Sequence, residues 1–345
     1  MKAALLYKPG DIRVEEIEEP KIQNPDDVLV KVEFVGICGS DVHYYAEGQI
    51  GDAVLEGPLI IGHEPAGVVL EIGSGVRSLK PGDRVAIDPA IHCGRCEPCL
   101  EGNPNVCLNI RFFGTPPQQG AFREKLVHPE HLLFKLPPEI STAGGAMLEV
   151  YGVAIHAVDL GKVKPGYEVA VIGGGPVGLA TAQIAALSGA SRIFLSEPIP
   201  ERREMAKKLG ADVLIDPNRS DPVQLVMDLT NGRGVDVAFE AAGEAETFQQ
   251  CIDLCKNCGT AVFIGIPSDD RIILTASRAR RKGLTIKMVR RMKNVYQRAI
   301  RLAASGRIDP EAMISHLFPL ERIAEAFEML TGEGKGGIIK AMIEI

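Results

Sequence analysis

The sequence predicts an α/β chain of two parts, one β-rich and the other built on a doubly wound parallel sheet. Three observations carry this prediction. Residues 1 to about 150 break into short β-branched runs separated by Gly and Pro clusters. From about residue 165, apolar runs alternate with helix-favouring segments, as strands and crossover helices do in a parallel sheet. The first of those runs ends in Gly173-Gly174-Gly175-Pro176-Val177-Gly178, a G-x-G-x-x-G turn between strand and helix.

The elements follow in order. The N-terminus has only a very short apolar patch and no cleavage pattern, so it reads as a first strand and not a signal peptide. Strands are expected at 28–35, 66–72 and 84–87, with a turn at Lys80-Pro81-Gly82-Asp83. Residues 168–172 form a largely apolar run, as a strand buried on both faces should. Helix 179–188, strand 192–196 and helix 200–209 come next, then strands at 213–215, 235–240 and 261–266. The last fifty residues return to mixed texture.

Bulk properties narrow the function classes. A length of 345 residues suits about two domains at roughly 100–200 residues each. The net charge of −7 gives no basic excess for nucleic acid. No apolar run approaches the roughly 18–20 residues of a membrane span, so a cytoplasmic protein is expected. Four of the eight cysteines crowd between positions 93 and 107. In a reducing compartment that clustering points to metal before disulfides.

The glycine turn has a physical logic. Gly173 permits the tight turn, Gly175 lets the backbone approach a pyrophosphate, and Gly178 allows close helix packing. Phosphates would sit at the positive end of the following helix. Glu197 closes the second strand about twenty residues on, where a carboxylate accepts hydrogen bonds from ribose hydroxyls. It would repel a 2′-phosphate, which favours NAD over NADP. Arg202 and Arg203 pull the other way, because a nearby arginine welcomes that phosphate.

Two groups of residues suit metal. Cys93-x2-Cys96-x2-Cys99-x7-Cys107 lies in a Gly-, Pro- and Asn-rich loop. Four thiolates match a closed tetrahedral zinc site, which has no open position and is therefore structural. The second group is dispersed: Cys38 in Gly36-Ile37-Cys38-Gly39-Ser40-Asp41-Val42-His43, His63 and Glu64 in Gly62-His63-Glu64-Pro65-Ala66-Gly67, and Glu149 in Met147-Leu148-Glu149-Val150. One Cys, one His and one or two Glu are mixed zinc ligands with room for a water or substrate.

These motifs, in this order along the whole chain, resemble the zinc-containing medium-chain dehydrogenases. The resemblance implies a GroES-like barrel from 1–153 and 291–345, with a zinc lobe at 90–110 and a Rossmann domain at 154–290. It also implies two zincs per chain, NAD as cofactor and a homo-tetramer. Cys38, His63 and Glu64 would hold the catalytic zinc, and Glu149 would touch the zinc or its water. Ser40 would accept the alcohol proton and His43 would pass it to solvent. Pro176, Val177, Arg202, Ile264 and Ile266 would complete the nucleotide contacts.

The segment 36–52 resembles the sorbitol and xylitol dehydrogenase branch, as does Phe112-Phe113-Gly114-Thr115-Pro116-Pro117. Tyr44, Phe113 and Glu149 would then line the pocket of a polyol or sugar-like secondary alcohol. One departure stands out. Polyol enzymes carry Phe-Arg-Tyr where this chain has Val289-Arg290-Arg291-Met292. Arg290 aligns, but the aromatics are missing, and the extra cation favours a more oxygenated or acidic substrate. A threonine 3-dehydrogenase-like enzyme, a non-catalytic NAD-binding relative and a zinc-free reductase are the competing readings. Cys251, Cys255 and Cys258 read as incidental thiols. His92, His128, His131, His156 and His316 read as surface or packing residues, and Arg278-Ala279-Arg280-Arg281-Lys282 as a solvated face or subunit contact.

Overall fold

The computed structural model describes residues 1–332 and 337–345. The chain divides into two compact units, Met1–Glu149 with Lys293–Ile345, and Val150–Met292. Among the described residues, no helix is long and apolar enough to cross a membrane.

The first unit is organised around the strand Asp27–Gly36. Val28, Val30, Val32 and Val35 are fully buried along it. Burial of each such side chain stabilises by roughly 1.5–3 kcal/mol. This strand pairs antiparallel with Glu64–Ile72, Lys125–Pro129 and Lys340–Glu344. Arg84–Ile87 and Leu133–Lys135 extend the sheet on one side, and Ile314–Pro319 on the other. The C-terminal strand thus returns to the centre of the N-terminal sheet. That return sets Met342 and Glu64 on either side of Gly36.

The helix Gly39–Glu47 begins at Cys38, whose extended backbone makes it the N-cap. Asp41, three residues on, accepts from the Cys38 N–H at 2.9 Å, so the first turn carries a capping box. Gly48 ends the helix in the left-handed conformation, at φ 74°. The long helix Thr142–Gly161 carries Glu149 near its middle.

The second unit is a six-stranded parallel sheet. Its order is Val213–Ile215, Arg192–Ser196, Glu168–Ile172, Val235–Glu240, Cys255–Phe263, Thr285–Met288. In sequence terms this is 3-2-1-4-5-6, with the order reversing between the first and fourth strands. The glycine turn leaves the first strand at that reversal.

Two expected elements shift by three residues or more. The helix after the glycine turn starts at Pro176 and not 179, because Gly175 is the N-cap and proline fits the first helical position. The strand expected at 261–266 runs instead from Cys255 to Phe263. It stops where its partner Glu240 stops, and the Ile264 and Gly265 N–H groups both turn onto the Glu240 carbonyl. Ile264 and Ile266 therefore lie on the loop beyond the sheet.

Candidate metal centre and cofactor turn

In the first unit, Cys38, His63 and Glu64 come together from a helix N-cap and the start of a strand. Their ligand atoms all lie within 4.8 Å of one another. Glu64 is 1% exposed and His63 6%. Gly36 makes this possible: a Cβ there would stand 1.9 Å from Glu64 Oε2.

Asp41 organises the group from behind. It is buried, its Oδ1 accepts from the Gly62 N–H at 3.0 Å, and the same oxygen lies 3.4 Å from His63 Nδ1. This contact leaves His63 Nε2 for a ligand, with Ser40 Oγ 3.4 Å away. Burial opposes a charge on His63, but Asp41 and Cys38 outweigh it and hold its pKa well above the ordinary imidazole value.

Lys340 closes the other side. It ion-pairs with Glu64 Oε2 and donates to the Ile37 carbonyl at 2.9 Å. Burial lowers the pKa of Lys340, but Glu64 and Cys38 raise it by more. Glu149 is 5% exposed and feels the charges of His63, Glu64 and Lys340. Burial, aided by Glu64, pushes its pKa up to about 8.

The donor set fits a zinc ion. Sulfur, imidazole nitrogen and carboxylate oxygen converge in a largely buried place. Three protein ligands also leave one tetrahedral position open.

Cys93, Cys96, Cys99 and Cys107 form a second cluster, again with every sulfur within 4.8 Å of the others. Cys96 Sγ lies 3.4 Å from Cys99 Sγ and 3.7 Å from Cys107 Sγ. The Cys93 and Asn109 N–H groups donate to Cys107 Sγ at 3.3 Å. Such donors stabilise thiolate. The Arg95 backbone N–H leads in lowering the Cys93 pKa to about 6, whereas burial and neighbouring thiols push Cys99 to about 12. Crowded sulfurs of this kind need a cation to ionise together.

The other expected residues of this unit lie on the helix Gly39–Glu47 and in the core. His43 is a quarter exposed, with Nδ1 3.3 Å from Glu47 Oε1. Tyr44 and Phe113 are buried in the core, at 3% and 1%. The Phe113 ring packs 4.8 Å from that of His128.

In the second unit each glycine of the turn meets a different demand. Gly173 has φ 97°, and a Cβ there would lie 2.7 Å from the Ala242 nitrogen. At Gly178 a Cβ would meet the Gly173 carbonyl at 2.0 Å. Around Gly175 no described residue beyond its own helix and chain neighbours comes within 4 Å of an added Cβ. Gly174, the variable position of the motif, is constrained as well, because the Glu197 side chain lies against it.

Glu197 is 3% exposed and accepts from the Gly174 N–H at 2.6 Å and the Ile199 N–H at 2.9 Å. Arg202 and Arg203 sit on the helix Pro200–Lys208. Arg203 donates to the Glu197 carbonyl at 2.6 Å and pairs with Asp216 at 3.2 Å. Ile266 is exposed, as is Arg290.

Residues 24–138 match the family described as "Alcohol dehydrogenase GroES-like domain", and residues 176–305 that described as "Zinc-binding dehydrogenase". Sorbitol dehydrogenase of Bacillus subtilis is 38% identical over 343 residues, covering 99% of this chain and 97% of that relative. The chain belongs to the zinc-type medium-chain alcohol/polyol dehydrogenase family. An oxidoreductase/dehydrogenase of unknown specificity from Escherichia coli superposes with a TM-score of 0.94 at 36% identity, covering 100% of this chain and 99% of that one. A zinc-binding dehydrogenase from Sinorhizobium meliloti bound to NADP gives 0.89 at 34% identity, with the same coverage. As a member of this family the dehydrogenase is an NAD-dependent enzyme that acts on an alcohol or polyol.

Sequence reasoning missed several residues of this dehydrogenase. Asp41 was legible, since Cys38-x-x-Asp41 has capping-box spacing. Lys340 had no local signal, because a lysine in a short terminal strand reads as solvent-facing. Gly174 stands at the variable letter of its motif, and no motif surrounds Asp216.

Proposed function

We propose that this dehydrogenase oxidises a secondary alcohol of the polyol or sugar-like class to a ketone, with hydride passing to NAD in preference to NADP. The observation that carries the reading is the convergence of the Cys38, His63 and Glu64 donor atoms within 4.8 Å. Cys38, His63 and Glu64 hold the catalytic zinc, and the four-thiolate cluster holds a structural one. Zinc at the first site supplies Lewis-acid polarisation of the substrate oxygen, which makes its proton easier to remove.

The remaining roles fall to the chain itself. Ser40 accepts the hydroxyl proton and His43 delivers it to solvent, with Glu47 on the other ring nitrogen. Glu149 takes a place beside the metal or its water. Tyr44 and Phe113 form an apolar wall of the substrate site, and Arg290 supplies a cation for an oxygen-rich substrate. Gly173, Gly175, Pro176, Val177 and Gly178 hold the pyrophosphate. Glu197 takes the ribose hydroxyls with Arg202 nearby, and Ile264 and Ile266 support the nicotinamide.

The enzyme works in the cytoplasm, where thiolates stay reduced. It assembles as a homo-tetramer. Support for self-association comes from the edge strand Thr285–Met288, which leaves Ile286 and Met288 40% and 61% exposed.

Purified protein, assayed for NADH formation on sorbitol, xylitol, ribitol, inositols, threonine, butanediol and simple alcohols, tests the reading. Turnover of one or more polyols, lost on chelation, supports it. Turnover restricted to threonine or primary alcohols, or undiminished after the inner zinc is stripped, overturns it.

A further inference from the structure

We propose that Asp216 sets the cofactor preference of this enzyme by neutralising Arg203 beside the adenosine ribose. The inference rests on the reading of Glu197 as the ribose-binding acid.

Ser196 and Ile215 are partners at the ends of neighbouring parallel strands, and the Glu197 N–H donates to the Ile215 carbonyl at 3.0 Å. Glu197 and Asp216 are therefore the first residues beyond two adjacent strand ends. Arg203 reaches back from its helix to both. One nitrogen donates to the Glu197 carbonyl at 2.6 Å, and the other lies 3.2 Å from Asp216 Oδ2. Both side chains are largely shielded, at 17% and 18% exposed. Arg219 stands 3.5 Å from the same Asp216 oxygen but is 85% exposed, so solvent screens most of its charge.

A guanidinium is the group best suited to a 2′-phosphate, because its fork matches two phosphate oxygens. Arg203 is tied to the main chain of Glu197 and so lies beside the expected ribose position. Its charge is already matched by Asp216, and one arm of its fork is used. A 2′-phosphate arriving there would meet two carboxylates and a neutralised Arg203, with Arg202 as the remaining cation on that helix. Exclusion of NADP thus has two parts, the repulsion from Glu197 and the capture of Arg203.

The test is a double-mutant cycle on the full-length protein: wild type, D216N, R203L and D216N/R203L. Asp216→Asn keeps the Oδ1 acceptor that receives the Asn218 N–H at 3.0 Å, so the turn is preserved. Binding of NADH and NADPH is followed by the fluorescence of the reduced nicotinamide, which requires no substrate. D216N should shift relative affinity toward NADPH by about tenfold, the worth of one hydrogen bond to a charged group. The double variant should lose that gain. An NADH-preferring wild type whose D216N variant shows no shift overturns the role of Asp216 and leaves the Glu197 reading standing. A shift equally large in the double variant also overturns it, because general loss of negative charge would then suffice. A wild type that prefers NADPH overturns both readings.

Discussion

Lys340 and Glu64 form a buried ion pair, with side chains only 2% and 1% exposed. The pair joins the last strand of the chain to the candidate metal centre. Breaking such a pair leaves an uncompensated buried charge, at a cost of about 3–5 kcal/mol. Lys340→Met should therefore destabilise the zinc-free protein by that order, with Lys340→Met/Glu64→Gln recovering part of the loss. Urea unfolding measures both. Equal stability of K340M and wild type would show that the pair contributes nothing.

Asp41 fixes the ring of His63 and the backbone of Cys38. Outer partners of this kind typically tune metal affinity by about 10–100-fold. Asp41→Asn should weaken zinc at the mixed-ligand site by that factor, read by competition with a chromogenic chelator. Unchanged affinity would reduce Asp41 to a helix cap.

The four-thiolate loop has few apolar groups to hold it. Cys96→Ser should release about one zinc per chain and lower the melting temperature, since metal-binding energy here is folding energy. Zinc content by atomic absorption, together with a thermal melt, decides the matter. Loss of neither would remove the cluster as a structural site.

His128 is fully buried, with Nε2 donating to the Asp88 carbonyl at 2.8 Å. Burial lowers its pKa to about 3, far below the ordinary imidazole value near 6.5. Between those values the unfolded chain binds a proton that the folded chain does not, so stability rises with pH there. The contribution is full above about pH 6.5 and is lost as pH falls toward 3. His128→Gln should flatten the acid limb of stability by up to about 1.4 kcal/mol per pH unit. Urea midpoints at pH 4.5 and 7 would reveal it, and parallel limbs for both proteins would rule it out.

Much of this enzyme was legible in local pattern. The strands Glu168–Ile172, Arg192–Ser196 and Val235–Glu240 follow directly from apolar runs, because a strand buried on both faces has no polar alternation to blur it. The glycine turn and the four-cysteine loop were equally plain, as each is a short stretch whose spacing is its geometry. The strand Cys255–Phe263 was read too late in the chain, because its end is set by a hydrogen-bonded neighbour and not by composition.

The sequence by itself determined the parallel-sheet unit, the nucleotide turn and the residues able to bind metal. The fold alone decided that Cys38, His63 and Glu64 meet, that Lys340 joins them, and that Arg203 is committed to Asp216. The physical reason is one of range. Side-chain periodicity and motif spacing act within a few residues, where the backbone geometry is known in advance. Which charges face each other across strands depends on register and on the return of a distant segment, and no local pattern records either.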